Sequence, residues 1–211
     1  MNNTKQEDFW SSDFGKDYTR RNPNTIDELE TETVKMYGVL RSLMNDDFLK
    51  GLDITNVLEV GSNVGTQLAM LQKQGFKNLY GIDIQEDAVQ QAKQLTKNIN
   101  IVQGSAFDLP FRDDYFDLVF TSGVLIHISP DDVKDVMKEI YRTSKKYIWG
   151  LEYFSEEYKA INYRYNEDYL WKGNFAQIYL DTFPGLKLVK KKQYKYVDED
   201  NVDEMFLLEK I

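Results

Sequence analysis

From residue 54 onward, short apolar runs alternate with amphipathic stretches, and this alternation restricts the fold more than any other property of the chain. The runs at 54–60, 79–84, 99–103, 116–121 and 146–153 have strand length and are rich in β-branched and aromatic residues. Helical spacing marks 64–73, 86–97 and 129–143 between them, with 25–49 upstream and part of 168–182 downstream. Strands that are apolar throughout, each followed by a helix, predict a mainly parallel sheet with helices on both faces. Two last strands, 186–196 and 204–209, are joined by little more than "VDEDNVD". A parallel crossover needs about a dozen residues, so this pair is predicted to be an antiparallel hairpin. The expectation is an α/β, doubly wound sheet of seven strands, mainly parallel, closed by a C-terminal hairpin.

Local signals place several boundaries. Thr25 as N-cap with Glu28 three residues on predicts the start of one long helix over 25–49. Ser129, Pro130 and Asp132 make the same prediction for 129–143. Gly75 is placed to end the helix over 64–73. No repeat, low-complexity tract or Pro/Gly/Ser linker interrupts the chain, so residues 1–211 are read as one domain. The hydrophobic fraction is 42%, enough for a packed core. With no cysteine, thiol nucleophiles, disulfides and zinc–thiolate sites are excluded, and one histidine excludes a His-rich metal site. The net charge of −9 argues against nonspecific nucleic-acid binding, which depends on neutralising phosphates. No apolar run is long enough to span a bilayer and the first ten residues hold no apolar leader-type segment, so a soluble cytoplasmic protein is expected.

The stretch "NVLEVGSNVGTQLAML" marks the end of the first strand. In an open α/β sheet, ligands sit beyond the carboxyl ends of the strands. A dinucleotide fingerprint G-x-G-x-x-G aligned on Gly61 would need glycine where Asn63 and Thr66 stand, and it fails there. The pattern present is Glu59, Gly61 and Gly65, followed by Asp83 in "YGIDI", then "GSAFDLPF" and "FDLVFTSGVLIHI". In order and spacing this series resembles the class I S-adenosylmethionine-dependent methyltransferases, a Rossmann-like family. The resemblance implies S-adenosyl-L-methionine as cofactor. It brings the backbone of Gly61, Ser62 and Asn63 to the methionine part, with Glu59 nearby and Gly65 closing the turn. Asp83 would hold the ribose hydroxyls and Ile84 would face the adenine. Ser105, Ala106 and Phe107 would line the adenine edge, where many relatives have an acid in place of Ser105. Ser122 and Gly123 would close the pocket near the sulfonium. Each assignment has a packing alternative: Gly61 and Gly65 as strand–helix spacers, Asp83 as a helix cap, Phe107 as core.

The flanks carry the remaining signals. "FWSSDFGKDYTRRN" holds four aromatics and two arginines in fourteen residues. Residues 1–24 are therefore read as a lid, with Tyr18 toward the cofactor and Arg20 or Arg21 on its carboxylate. The alternative is an amphipathic helix packing Phe9, Trp10, Phe14 and Tyr18 on the sheet. This segment, "FTSGVLIHISP", "LEYFSEEY" and "YLWKGNF" resemble the methylases associated with pseudaminic acid biosynthesis. That likeness implies a small-molecule acceptor, a sugar or sugar nucleotide, with 155–183 as an acceptor-side insertion. A methyltransferase for another metabolite and a non-catalytic cofactor-binding module stay open. His127, just past the fourth strand, is the candidate general base, with a structural role as its alternative. Glu152 and Tyr153 at the end of the fifth strand are the next catalytic candidates. Tyr163, Arg164, Tyr165 and Trp171 are candidates for the acceptor wall.

Overall fold

A computed structural model describes residues 3–162 and 168–211. The candidates Tyr163, Arg164 and Tyr165 lie outside the described residues. The chain begins with four helices, α1 (Lys5–Ser11), α2 (Asp13–Arg21), α3 (Ile26–Tyr37) and α4 (Arg41–Leu49). Strand and helix then alternate: β1 (Asn56–Val60), α5 (Thr66–Lys73), β2 (Asn78–Asp83), α6 (Glu86–Leu95), β3 (Ile99–Gln103) and β4 (Phe116–Ser122). A single 3-10 turn, Leu125–His127, precedes α7 (Val133–Thr143) and β5 (Ser144–Tyr153). The remainder is a small pair, β6 (Lys159–Ala160) and β7 (Trp171–Lys172), then α8 (Phe175–Thr182), β8 (Leu186–Lys195) and β9 (Val202–Lys210).

Seven strands form one sheet in the order β3-β2-β1-β4-β5-β9-β8. The first five are parallel, while β9 runs antiparallel between β5 and β8, as the short connection requires. The pleat sends neighbours to opposite faces. Leu58, Val119 and Ile148 pack with Val136, Met137 and Ile140 of α7 and Tyr179 of α8. Val57, Leu118 and Trp149 pack on the other face with Met44 and Phe48 of α4 and Leu68 and Leu71 of α5. Burial on both faces is why these strands are apolar throughout rather than alternating. β8, at the sheet edge, is instead "LKLVKKKQYK", and its lysines discourage pairing with a further strand.

Three boundaries differ from expectation. The Thr25–Glu28 capping box forms, but the helix it starts ends at Tyr37. Gly38 takes the left-handed conformation there (φ 71°), which stops α3 and lets α4 start in a new direction. The helix expected from Ser129 begins only at Val133. Ser129 and Asp132 bond each other in the preceding turn, Ser129 Oγ donating to Asp132 Oδ2 at 2.7 Å. The segment before residue 25, for which the packing alternative is one amphipathic helix, holds two short helices. Gly75 does end α5: its N–H bonds Gln72 and that of Phe76 bonds Leu71.

Candidate functional site

β1, β2 and β4 end on one side of the sheet, beneath α1 and α2, and there the chain encloses a cavity of about 400 Å³. β1 turns into α5 through Gly61, whose φ of 74° suits glycine, and a Cβ there would lie 2.5 Å from a methyl of Val124. The backbone N–H groups of Gly61 and Ser62 both bond the Ile82 carbonyl, tying the loop to β2. Asp83, at the end of β2, accepts from Asn63 N at 2.7 Å on one oxygen and from Gln85 N at 2.8 Å on the other. Burial raises its pKa and these two backbone bonds pull it back down.

Tyr18, Glu59, Gly61, Ser62, Asn63, Asp83 and Ile84 all line this cavity. So do Ser105, Ala106, Phe107, Ser122, Gly123, His127 and Tyr153. Gly65, Arg20, Arg21, Glu152 and Trp171 do not, the last of them buried in β7. Gly65 caps α5 at φ 79°, and a Cβ would sit 2.7 Å from Ile101 Cδ1, so it serves strand–helix packing. Arg21 is exposed at the end of α2, with its guanidinium 6.0 Å from the Phe14 ring. Glu152 is buried behind the wall, accepting from Val124 N at 3.2 Å and Ile126 N at 3.3 Å. Its carboxylate pins the 3-10 turn, and burial pushes its pKa up to about 7.

The cation of the site is Arg41, at the first position of α4, only 4% exposed. It donates to Ser122 Oγ at 3.0 Å and Asn45 Oδ1 at 3.3 Å, and no described carboxylate lies within ion-pair distance. Burial lowers its pKa, while Glu59 and Asp203 support its charge. Sequence reasoning missed Arg41 because it treated 25–49 as one helix; Gly38 three residues upstream was the available signal. Among the described residues, three buried oxygens of the cavity lining lack a hydrogen-bond partner: Glu59 Oε2, Ser62 Oγ and Asp203 Oδ1. Burial drives the Glu59 pKa well above the carboxylate range, with Arg41 opposing.

At the far end, Ser105 Oγ donates to Glu7 Oε1 of α1 at 2.5 Å. The acid that Ser105 does not supply is thus brought by the N-terminal helix. Gln85 Nε2 donates to the Trp10 and Ser12 carbonyls, and Asn63 Nδ2 to Thr19 Oγ1 at 3.3 Å, so α1 and α2 are docked as a roof. The Trp10 ring lies 4.4 Å from that of His127. His127 Nδ1 bonds the Tyr169 carbonyl at 2.9 Å, and burial lowers its pKa to about 4.

Sheet order and a ligand cavity over β1, β2 and β4 define the fold class as that of the class I, Rossmann-like methyltransferases. More particularly, residues 58–147 match the family described as methyltransferase domain, an S-adenosylmethionine-dependent class of enzyme. A protein of Pyrococcus horikoshii OT3 superposes with a TM-score of 0.70 at 17% identity, covering 92% of this chain and 99% of the other. A SAM-dependent methyltransferase of Leishmania major superposes at 0.73 and 14%, covering 98% and 87%. In sequence, an uncharacterized methyltransferase of Synechocystis is 32% identical over 81 residues, 38% of each chain. The 2-methyl-6-phytyl-1,4-hydroquinone methyltransferase of Arabidopsis thaliana is 34% identical over 109 residues, 48% of this chain and 32% of that one. The chain spans less than two fifths of the length of these two relatives.

Proposed function

We propose that the chain transfers a methyl group from S-adenosylmethionine to a small molecule. The observation that carries this reading is Arg41, a buried guanidinium in the cavity wall that makes no contact ion pair among the described residues, Glu59 and Asp203 acting on it only from longer range. A buried charge without a contact partner is costly, so an anionic ligand would stabilise it, and the methionine carboxylate is one. The rest of the wall fits the same cofactor. Asp83 has lone pairs remaining for a vicinal diol, and Glu59 Oε2 and Ser62 Oγ are acceptors awaiting donors. Glu7, held by Ser105, would accept from the adenine amino group beside Ile84 and Phe107. The bound cofactor supplies an electrophilic methyl group; the chain orients it and keeps water out, and positioning alone accounts for much of such catalysis.

The acceptor we favour is a sugar or sugar nucleotide of nonulosonic acid metabolism, supported by the flanking motifs and by the aromatic wall around Tyr153. A second reading, a cofactor binder with other chemistry or none, draws on the [4+2]-cyclase SpnF, which shares the fold at a TM-score of 0.63. Calorimetric titration with S-adenosylhomocysteine tests the site. Asp83→Ala is expected to weaken binding roughly ten- to a hundredfold, as loss of charge-assisted hydrogen bonds worth about 1.5–3 kcal/mol implies. Unchanged affinity in the folded variant would reject the ribose role. A methyl-transfer screen over sugars, sugar nucleotides and amines, read by mass, separates enzyme from binder.

A further inference from the structure

The cavity continues past Arg41 to the start of β9, where Asp203 is 5% exposed. β9 pairs Asp203 with Tyr153 of β5, so the carboxylate sits at the strand ends beside the cofactor floor. Oδ2 accepts from Tyr37 at 2.5 Å and from Tyr196 at 3.4 Å. Oδ1 has no partner among the described residues. The rings of Tyr37 and Tyr153 each stand edge-on to Tyr196, with centroids 5.2 and 6.3 Å away, and all three line the cavity. Val197 N bonds the Met36 carbonyl at 2.8 Å, which holds Tyr37 and Tyr196 together.

We infer that Asp203 is the binding point of the methyl acceptor, taking a ring hydroxyl of a neutral sugar or phenol on Oδ1 and then its proton. A buried acceptor atom without a donor is costly, and a hydroxyl repairs it. Aromatic walls suit the apolar face of a ring. The charged groups facing Asp203 are Arg41 and Lys172, both cations, which disfavours an ammonium acceptor. Burial, opposed by both tyrosines and both cations, raises the Asp203 pKa to about 6, within range of a general base. The balance closes. With the cofactor bound, a lone pair of the hydroxyl oxygen would form the O–CH3 bond, the O–H pair would stay on that oxygen as the proton passed to Oδ1, and the C–S pair would stay on sulfur.

This inference rests on the methyltransferase reading, and its test keeps the two apart. Protein loaded with S-adenosylhomocysteine is probed by saturation-transfer NMR with methyl α-glucoside, catechol and, as a cation, benzylamine. One of the hydroxyl probes is expected to bind, which tells sugar from phenol, and to lose binding in Asp203→Asn while S-adenosylhomocysteine still binds. The inference is overturned if neither hydroxyl probe binds, if binding survives Asp203→Asn, or if only benzylamine binds. Should Asp203→Asn not fold, Asp203→Ser, which withdraws the carboxylate from the same position, replaces it, and unaltered binding overturns the idea. Failure of the wild type to take S-adenosylhomocysteine sinks the methyltransferase reading instead.

Discussion

His127 shows what burial does to the titration of a residue whose type suggests catalysis. The sequence offers one histidine at a strand end facing a cofactor loop, which suits a base. The fold buries it under Trp10 and engages Nδ1 with the Tyr169 carbonyl, so it joins the 3-10 turn to the segment before β7. Its folded pKa of about 4 lies below the unfolded value near 6.5. Between those values the unfolded chain binds more protons, so stability from His127 is present above about pH 6.5 and lost as pH falls toward 4. His127→Asn removes that dependence. Urea unfolding at pH 7.5 and pH 5 is expected to show the wild type losing about 2 kcal/mol more than the variant. Parallel losses would show that the imidazole is not buried neutral. If the latch is its main role, His127→Asn also lowers the melting temperature while turnover per folded molecule holds.

At the scale of elements, the informative unit is the α1–α2 pair. Thr4 and Glu7 form a capping box, a signal present in "TKQE", and it sets α1. Ser12 caps α2 at once, so the pair folds back over the cavity. It meets the rest of the chain through hydrogen bonds and ring contacts: Glu7 to Ser105, Gln85 to two carbonyls, Asn63 to Thr19, Trp10 to His127 and Phe9 stacked on Tyr169. None of its residues belongs to the two buried apolar clusters. Few buried apolar contacts mean a low local opening free energy. Amides of residues 9–22 are therefore expected to exchange more slowly with S-adenosylhomocysteine bound than without it. Equal protection in both states would make the pair a fixed part of the core. Deleting residues 1–24 is expected to leave a cooperative thermal melt, because Val57, Leu118 and Trp149 are buried by α4 and α5 instead.

For the whole molecule, ligand and fold stability are linked through the same wall. Glu59, Ser62 and Arg41 are polar groups buried without full compensation, and a ligand that satisfies them binds only the folded state. S-adenosylhomocysteine at a hundredfold excess over its Kd is expected to add about 2.7 kcal/mol, or roughly 5–10 °C in a chain of this size. A melt that does not move would sink the cofactor assignment. Much of the architecture was legible beforehand, because strand and helix periods, the Gly61 turn and the short hairpin connection are local properties. The position of Asp83 at its strand end was legible for the same reason. Long-range placement was not. Arg41 reaches Ser122 across 81 positions, Glu7 reaches Ser105 across 98, and Tyr37 reaches Asp203 across 166. Local signals mark the helix ends near Arg41 and Glu7, but nothing in the local pattern says which distant residue each of these side chains meets. By itself the sequence determined the strand–helix alternation from β1 onward and the placing of the Gly61 turn and Asp83 at strand ends, since hydrophobic period and turn chemistry act over a few residues. The walls of the site, and the exclusion of Arg21 and Glu152 from it, were decided only when packing chose which polar side chains to bury together.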